Sequence, residues 1–367
     1  MPFDRSQTRR IHIGQVPIGG GAPVIVQSMT STDTRDAAAT LAQIERLAVA
    51  GCEVVRCAVP DLEAALAFKQ ITASSPLPVI ADIHFDAALA VAAVENGAAS
   101  LRINPGNIGG DAAVRRVVEA AKTHGVPIRV GANSGSLPKD LLAAHGGPTP
   151  AAIVQAALRQ ARLLEDLGFG QIKVSLKSSS VLDTIAAYRL FAQQCGYPLH
   201  LGVTEAGGLL AGTVKSSVGI GALLLEGLGD TLRVSLTADP VREVEVAWHL
   251  LRACGLRQRG VEIISCPTCG RTEIELIPLL EAAEKELARV KAPLTVAIMG
   301  CVVNGPGEAA HADVGLAGGR GQGVIFAKGQ VVKKVAEADL LAALMEEVRK
   351  VEAQWAAEGS AGSGNTI

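Results

Sequence analysis

The chain has 367 residues, enough for one large domain and a smaller one, each with its own core. Its 34 Lys and Arg stand against 36 Asp and Glu, a formal net charge of -2 with a pI near 6.4, so no global basic field draws it to nucleic acid or to an anionic membrane. With 6 Phe, 2 Trp and 2 Tyr it also lacks the stacking platforms of a single-strand nucleic-acid binder.

Met1–Gly14 carries Asp4, Arg5, Arg9 and Arg10 but no apolar run that would form a signal-peptide core, and no stretch approaches the ~18 apolar residues of a spanning helix. A cytoplasmic protein with no membrane partner is expected. Eight short β-branched runs follow: Val24–Met29, Val54–Val59, Val79–Ile83, Ser100–Asn104, Pro127–Asn133, Ile172–Ser178, Leu199–Glu205 and Thr231–Thr237. Ala- and Leu-rich helical patterns fill the intervals, among them 37–50, 62–73, 87–96, 111–123, 151–167 and 181–194. Strand centres about 21 to 45 residues apart have the spacing of βα units, and eight such units predict a (β/α)8 barrel over residues 1–254.

Polar residues share one face of these strands. Lys173, Ser175 and Lys177 alternate with Ile172, Val174 and Leu176, and Arg233, Ser235 and Thr237 with Leu232, Val234 and Leu236. A barrel packs its apolar face against the helical ring, so Arg56, Arg102, Arg129, Lys177 and Arg233 are expected to point inward and line the mouth. Asn104, Asn133 and Ser235 join them as neutral donors, and Lys173 lies deeper. Asp82, His84 and Glu205 occupy the same strand ends. The cations either pair internally with Asp82 and Glu205 or, outnumbering those acids, await an anionic ligand. His84 is either a core histidine bonded to Asp82 or a group on the ligand side.

From Cys254 the pattern changes. Cys254–Gly260 reads as a linker, and residues 255–357 as a compact α+β domain: strand 261–265, helix 272–291, strand 294–299, a Gly-rich loop, strands around Val314 and over 324–335, and helix 337–354. Gly318–Gly323 follows no βαβ context and reads as a turn rather than a nucleotide loop. The Gly- and Ser-rich tail, 358–367, is expected to be disordered.

Seven cysteines are an odd number, and a reducing compartment disfavours disulfides. Cys266-Pro-Thr-Cys269 sits where a strand meets a helix, and Cys301 sits at a strand end 32 positions after Cys269. The turn Asn304-Gly305-Pro306-Gly307 then delivers Glu308. Spacing alone leaves structural zinc, an iron–sulfur cluster and no metal all open. Cys52, Cys57, Cys195 and Cys254 have no partner at ligand spacing and read as small core hydrophobes.

Five longer words decide between these. Gln27-Ser28-Met29-Thr30-Ser31-Thr32-Asp33-Thr34, Arg102-Ile103-Asn104-Pro105-Gly106-Asn107-Ile108-Gly109, Leu201-Gly202-Val203-Thr204-Glu205-Ala206-Gly207, Ser265-Cys266-Pro267-Thr268-Cys269-Gly270-Arg271 and Met299-Gly300-Cys301-Val302-Val303-Asn304-Gly305-Pro306-Gly307-Glu308 resemble the GcpE family of 4-hydroxy-3-methylbut-2-enyl diphosphate synthases, in its shorter bacterial two-domain form. The resemblance implies reductive ring opening and dehydration of 2-C-methyl-D-erythritol 2,4-cyclodiphosphate in non-mevalonate (MEP) isoprenoid synthesis. It implies reduced flavodoxin or ferredoxin as electron donor and a 4Fe-4S cluster on Cys266, Cys269, Cys301 and Glu308. A carboxylate is a harder, more exchangeable iron ligand than a thiolate, so Glu308 reads as a displaceable ligand. Glu205 is the candidate for handling the proton of the departing oxygen, with Asp82 and His84 as helpers, and Asn304 joins the substrate-binding set. The resemblance also implies a head-to-tail homodimer in which one subunit's barrel meets the other's cluster domain. Two other readings suit the same residues: a pterin- or corrinoid-type methyl-transfer barrel with an accessory cluster, and a zinc-stabilised binding or electron-carrier protein without chemistry at the barrel.

Overall fold

A computed structural model describes residues 1–301 and 311–362, with side chains up to Ala357. The chain forms two compact units, Met1–Arg257 and a second beginning at Gln258.

In the first unit a hairpin of β1 (Ile11–Ile13) and β2 (Val16–Ile18) precedes eight barrel strands: β3 (Ile25–Met29), β4 (Val54–Ala58), β5 (Val79–Asp82), β6 (Ser100–Arg102), β7 (Ile128–Asn133), β8 (Ile172–Lys177), β9 (His200–Leu201) and β10 (Thr231–Leu232). Their order is β8-β7-β6-β5-β4-β3-β10-β9, with parallel neighbours, and a parallel bridge from Val174 to Leu199 joins the two ends into a ring. Around it lie α1 (Ala37–Ala50), α2 (Leu62–Ser74), α3 (Ala87–Glu95), α4 (Asp111–His124), α5 (Lys139–His145), α6 (Pro150–Asp166), α7 (Val181–Ala192), α8 (Leu209–Leu225) and α9 (Pro240–Ala253). Local chemistry sets their starts. Asp36, Asp61, Asp86, Thr149, Ser180 and Asp239 each accept a hydrogen bond from an unpaired N–H of the first turn, and Pro150 and Pro240 fit the first helical positions.

The main core lies between sheet and helices. Val55, Cys57, Val130, Ala132, Val174 and Leu176 face it, together with Leu47, Phe68, Val117, Leu164 and Phe191 from the helices. The alternate residues of the same strands therefore point into the barrel. A second cluster of Ile11, Ile13 and Ile18 from the hairpin with Ile25, Val54 and Ile80 seals the end that the strands enter. This plug was not foreseen from sequence.

Three boundaries differ from expectation. The seventh and eighth strands are two residues each, well short of Glu205 and Thr237. A Cβ at Gly202 would meet Lys177 Nζ at 2.8 Å, and beyond it the Thr204 N–H turns to the Ser178 carbonyl (3.3 Å), so the chain leaves the ladder there. The linker belongs to the barrel as far as Arg257, whose guanidinium binds Glu53 (2.7 and 2.8 Å) and the Val24 carbonyl (2.7 Å) and covers the Trp248 ring. The third concerns the C-terminal tail and falls in the second unit.

That unit is a five-stranded mixed sheet in sequence order: β11 (Glu262–Ser265), β12 (Thr295–Met299), β13 (Val314–Gly319), β14 (Gln322–Ala327) and β15 (Gln330–Ala336). The first three are parallel and the last three antiparallel. Helices α10 (Leu276–Leu287) and α11 (Leu340–Gly362) cover one face through Leu276, Ala283, Leu287, Leu340, Leu344 and Val348 against Val296, Ile298, Leu316 and Ile325. Gly319 and Gln322 flank the β13–β14 turn, as expected of Gly318–Gly323. Helix α11 runs to Gly362, past the expected onset of disorder at 358, because the Ala- and Glu-containing run ahead of Gly359 propagates a helix already nucleated on the sheet. Residues 363–367 lie outside the described residues. Among the described residues no helix is long and apolar enough to cross a membrane.

Candidate active site

The alternation that buries one strand face against the helices sends Arg56, Asp82, Arg129, Lys173 and Lys177 inward, where all are buried, and Arg102 and Arg233 to half-buried positions at the strand ends. Asp82 is the hub of one half. Its carboxylate lies 3.2 Å from Arg102 Nη1 and 3.6 Å from both Arg56 Nε and His84 Nε2. Burial opposes its ionisation, but Arg56, the His84 hydrogen bond, Arg102 and Arg129 outweigh that and hold the carboxyl well below the usual range. His84 is exposed, not a core histidine; Arg102 Nη1 lies 2.8 Å from its Nε2.

The other half centres on a residue that sequence reasoning missed. Glu243, in the first turn of α9 and 2% exposed, takes Arg233 in a two-bond fork at 3.0 and 3.1 Å. It also accepts from the Ser28 hydroxyl (3.1 Å) and the Leu236 N–H (3.0 Å). The internal carboxylates are thus Asp82 and Glu243, not Asp82 and Glu205. Glu205 is exposed, four residues past β9 at φ 53°, and makes no ion pair or hydrogen bond among the described residues.

The remaining cations make no ion pair among the described residues. Arg129 Nη1 and Lys173 Nζ are buried without a hydrogen-bond partner, and Lys177 has none among the described residues. Burial first, and then the neighbouring guanidinium groups, push Lys173 and Lys177 well below the ordinary lysine value. Arg56 falls to about 10 for the same leading reason, against the pull of Asp82. Six basic side chains face the two paired carboxylates, with Asp230 a third buried acid near Lys173, an excess of positive charge that is costly empty and suited to a compact polyanion. Of the neutral donors, Asn104 ties its Oδ1 to the Gly106 N–H (3.1 Å), leaving its amide NH2 to donate, while Asn133 and Ser235 are half-buried at the same rim.

In the second unit the parallel register sets Ser265 beside Ile298, so Cys266 and Cys301 follow neighbouring strand ends. Cys266 Sγ accepts the Gly300 N–H at 3.3 Å, and Cys301 is buried. Cys269 is exposed; the backbone N–H and guanidinium of Arg271 hold its thiol below the ordinary value. Three thiols on one loop and the adjoining strand end fit a thiophilic centre in donor chemistry. Among the described residues, however, no three His, Cys, Asp or Glu side chains close into a metal-holding group, and Asn304 and Glu308 lie outside the described residues.

The GcpE TIM-barrel domain family matches residues 8–248, and the GcpE protein C-terminal domain family matches residues 262–350. The chain belongs to the GcpE family. It is 62% identical to the 4-hydroxy-3-methylbut-2-en-1-yl diphosphate synthase (flavodoxin) of Lawsonia intracellularis over 96% of this chain and 98% of that one. It is 59% identical to the enzyme of the same name from Geobacter sulfurreducens, over 95% of this chain and 99% of that one. Neither the methyl-transfer nor the zinc-binding reading has support from these relatives.

In this GcpE protein the structure brings Arg56, Asp82, Arg129 and Lys177 into one barrel interior, as the alternation predicts, with Arg102 and Arg233 at its strand ends and the exposed His84 against Arg102. Glu205 stands apart from that ion-pair network, on the loop after β9. The signal for Glu243 was faint: an acid in the first turn after Asp239-Pro240, ten positions from its partner.

Proposed function

We propose that the chain catalyses reductive ring opening and dehydration of 2-C-methyl-D-erythritol 2,4-cyclodiphosphate to (E)-4-hydroxy-3-methylbut-2-enyl diphosphate, as a cytoplasmic, head-to-tail homodimer drawing electrons from reduced flavodoxin or ferredoxin. The observation that carries this reading is the excess of cations over carboxylates inside the barrel, with Arg129 and Lys173 unpaired among the described residues, in a chain more than half identical to relatives bearing that enzyme's name. Arg56, Arg102, Arg129, Lys177 and Arg233 bind the two phosphoryl groups, with Asn104, Asn133 and Ser235 donating to their oxygens and Asn304 closing the set. Asp82 and Glu243 hold Arg102 and Arg233 in place, so their guanidinium faces are set before the ligand arrives. His84, against Arg102, faces the same ligand.

A 4Fe-4S cluster held by Cys266, Cys269, Cys301 and Glu308 supplies, when bound, low-potential electrons one at a time. On the protein side, Glu205 gives a proton to the departing hydroxyl so that it leaves as water, and its exposed loop position lets it reload from solvent. Closing one subunit's barrel with the partner's cluster domain excludes water from the reactive centre.

The test is anaerobic purification followed by turnover. Iron and sulfide in a brown protein, and conversion of the cyclodiphosphate to the allylic diphosphate with reduced flavodoxin, are expected. A colourless protein with stoichiometric zinc and no conversion overturns the reading. Glu205→Gln separates chemistry from binding: it leaves ligand affinity within about threefold and lowers kcat by 10²-fold or more, the range typical of losing an acid–base group.

A further inference from the structure

Below the mouth, the barrel interior holds an amine that the proposed reaction does not use. Lys173 points inward from β8 four residues before Lys177, about 13 Å further down the strand at ~3.3 Å per residue. It is 1% exposed, and its Nζ has no hydrogen-bond partner among the described residues. The apolar plug of Ile13, Ile18, Ile25 and Ile80 closes that end of the barrel.

The groups around Lys173 are mostly of its own sign. Arg129 is its register partner on β7, Arg56 comes from β4, and Lys177 stands above it on its own strand. His200 on β9 donates or accepts through Nδ1 with the Thr231 hydroxyl (2.8 Å), while its Nε2 is buried and unpaired. The nearby acid, Asp230, has its oxygens committed to the Leu199 N–H (2.8 Å) and the Thr8 hydroxyl (3.1 Å). A protonated amine carries three donors, and this one has no acceptor and cationic neighbours. Burial first, then Arg129 and Arg56, accordingly displace its pKa far downward. Burial without an acceptor, beside two guanidinium groups, thus disfavours the charged amine in the free protein.

Resting on the cyclodiphosphate reading of the mouth, we propose that Lys173 takes up one proton when the dianion binds above it, so that ligand binding at this barrel is proton-linked. The ligand's two negative charges offset the field of Arg129 and Arg56, which adds to burial in disfavouring the charged amine. The guanidinium groups are charged throughout and have no state to change. Each phosphoryl group of a cyclic diphosphate has one strongly acidic hydroxyl, ionised well below neutrality. Any proton that moves on binding near pH 8 therefore moves on the protein.

Isothermal titration calorimetry of the full, anaerobically purified chain with the cyclodiphosphate, at pH 8 in three buffers of different ionisation enthalpy, counts that proton. The expected result is an uptake near one per site and an affinity that weakens by up to tenfold per unit of rising pH between 7 and 9. In Lys173→Met and Lys173→Gln the uptake falls to near zero and the affinity becomes flat with pH. Heats independent of buffer in the unsubstituted protein overturn the proposal without recourse to any variant. Undiminished uptake in both variants overturns the assignment to Lys173. Absence of saturable binding in every buffer instead overturns the cyclodiphosphate reading, and the proposal falls with it.

Discussion

Replacing Asp82 with Asn removes one of the two carboxylates that compensate the barrel's cations while keeping side-chain size. At 3.2 Å from Arg102 and 3.6 Å from Arg56, each ion pair is worth about 5 kcal/mol by Coulomb's law at an effective dielectric of about 20, before desolvation. Desolvation cancels much of this, and breaking a buried pair from one side costs about 3–5 kcal/mol. Asn retains an acceptor, Arg102 keeps His84, and Arg56 keeps Met29 Sδ at 3.0 Å, which places the loss at the lower end, about 3 kcal/mol. For a unit of this size that is a fall in Tm of roughly 6–12 °C. The informative readout is the second one. If Asp82 acts as an internal counter-ion, the cyclodiphosphate replaces it in the variant, and the ligand-induced rise in Tm is larger in Asp82→Asn than in the parent. Scanning calorimetry under anaerobic conditions, with and without ligand, measures both. A drop in Tm below about 2 °C, or a ligand-induced rise no larger than the parent's, refutes the counter-ion argument.

Glu243→Gln loosens the fork on Arg233 without touching the ligand, and is expected to raise KM about tenfold with kcat changed less than threefold; steady-state kinetics showing the loss in kcat instead would make Glu243 more than a positioning residue. Cys269→Ser should abolish iron and sulfide content while calorimetric binding of the cyclodiphosphate at the barrel persists, since the thiol and the cations belong to separate units; retained iron would remove Cys269 from the ligand set. The buried lysines give stability a definite pH slope. Lys173 and Lys177 bind fewer protons folded than unfolded at every pH below the ordinary lysine pKa of ~10.4, so the free protein gains stability as pH rises from 7 to 9, by at most about 1.4 kcal/mol per unit per lysine. A urea midpoint that falls over that range contradicts the downward shift of the two lysines.

The fold was legible because barrel strands carry two signals at once. In Ile172–Lys177 the apolar set packs on the helices and the polar set points inward, so one period of two residues gives both the strand and the facing of Lys173 and Lys177. The signal fails where the strand is too short to show a period. Thr231–Leu232 is held in the ring by register with Ile25 and Val26, and His200–Leu201 by register with Thr231–Leu232, rather than by their own pattern; the polar residues beyond them, Glu205 and Ser235, belong to loops, that of Glu205 leaving the ladder at Gly202 with the Thr204 N–H on the Ser178 carbonyl. The hairpin Ile11–Ile18 was invisible for a different reason: its apolar residues complete the barrel's lower layer, a demand set by Ile25, Val54 and Ile80 from distant parts of the chain.

Charge compensation is the least local property of the site, and it shows why the mouth was only half readable. Alternation gives the facing of each cation, but whether a cation is spent on an internal acid depends on where the loops return. Glu205 has the right sequence position for a partner and sits exposed, whereas Glu243, on a helix outside the strands, reaches in to Arg233 and Ser28. The consequence runs opposite to counting acids along the strands. Arg102 and Arg233 are the cations held by carboxylates, at the rim, while Arg129 and Lys173 are left unpaired at the centre. A rim fixed by its own acids keeps its shape without ligand; a centre whose cations outnumber its acids is relieved by an anion entering from above. That distribution favours a ligand drawn deep into the barrel rather than resting across its rim, and it couples the protonation of the deepest amine to the ligand's arrival.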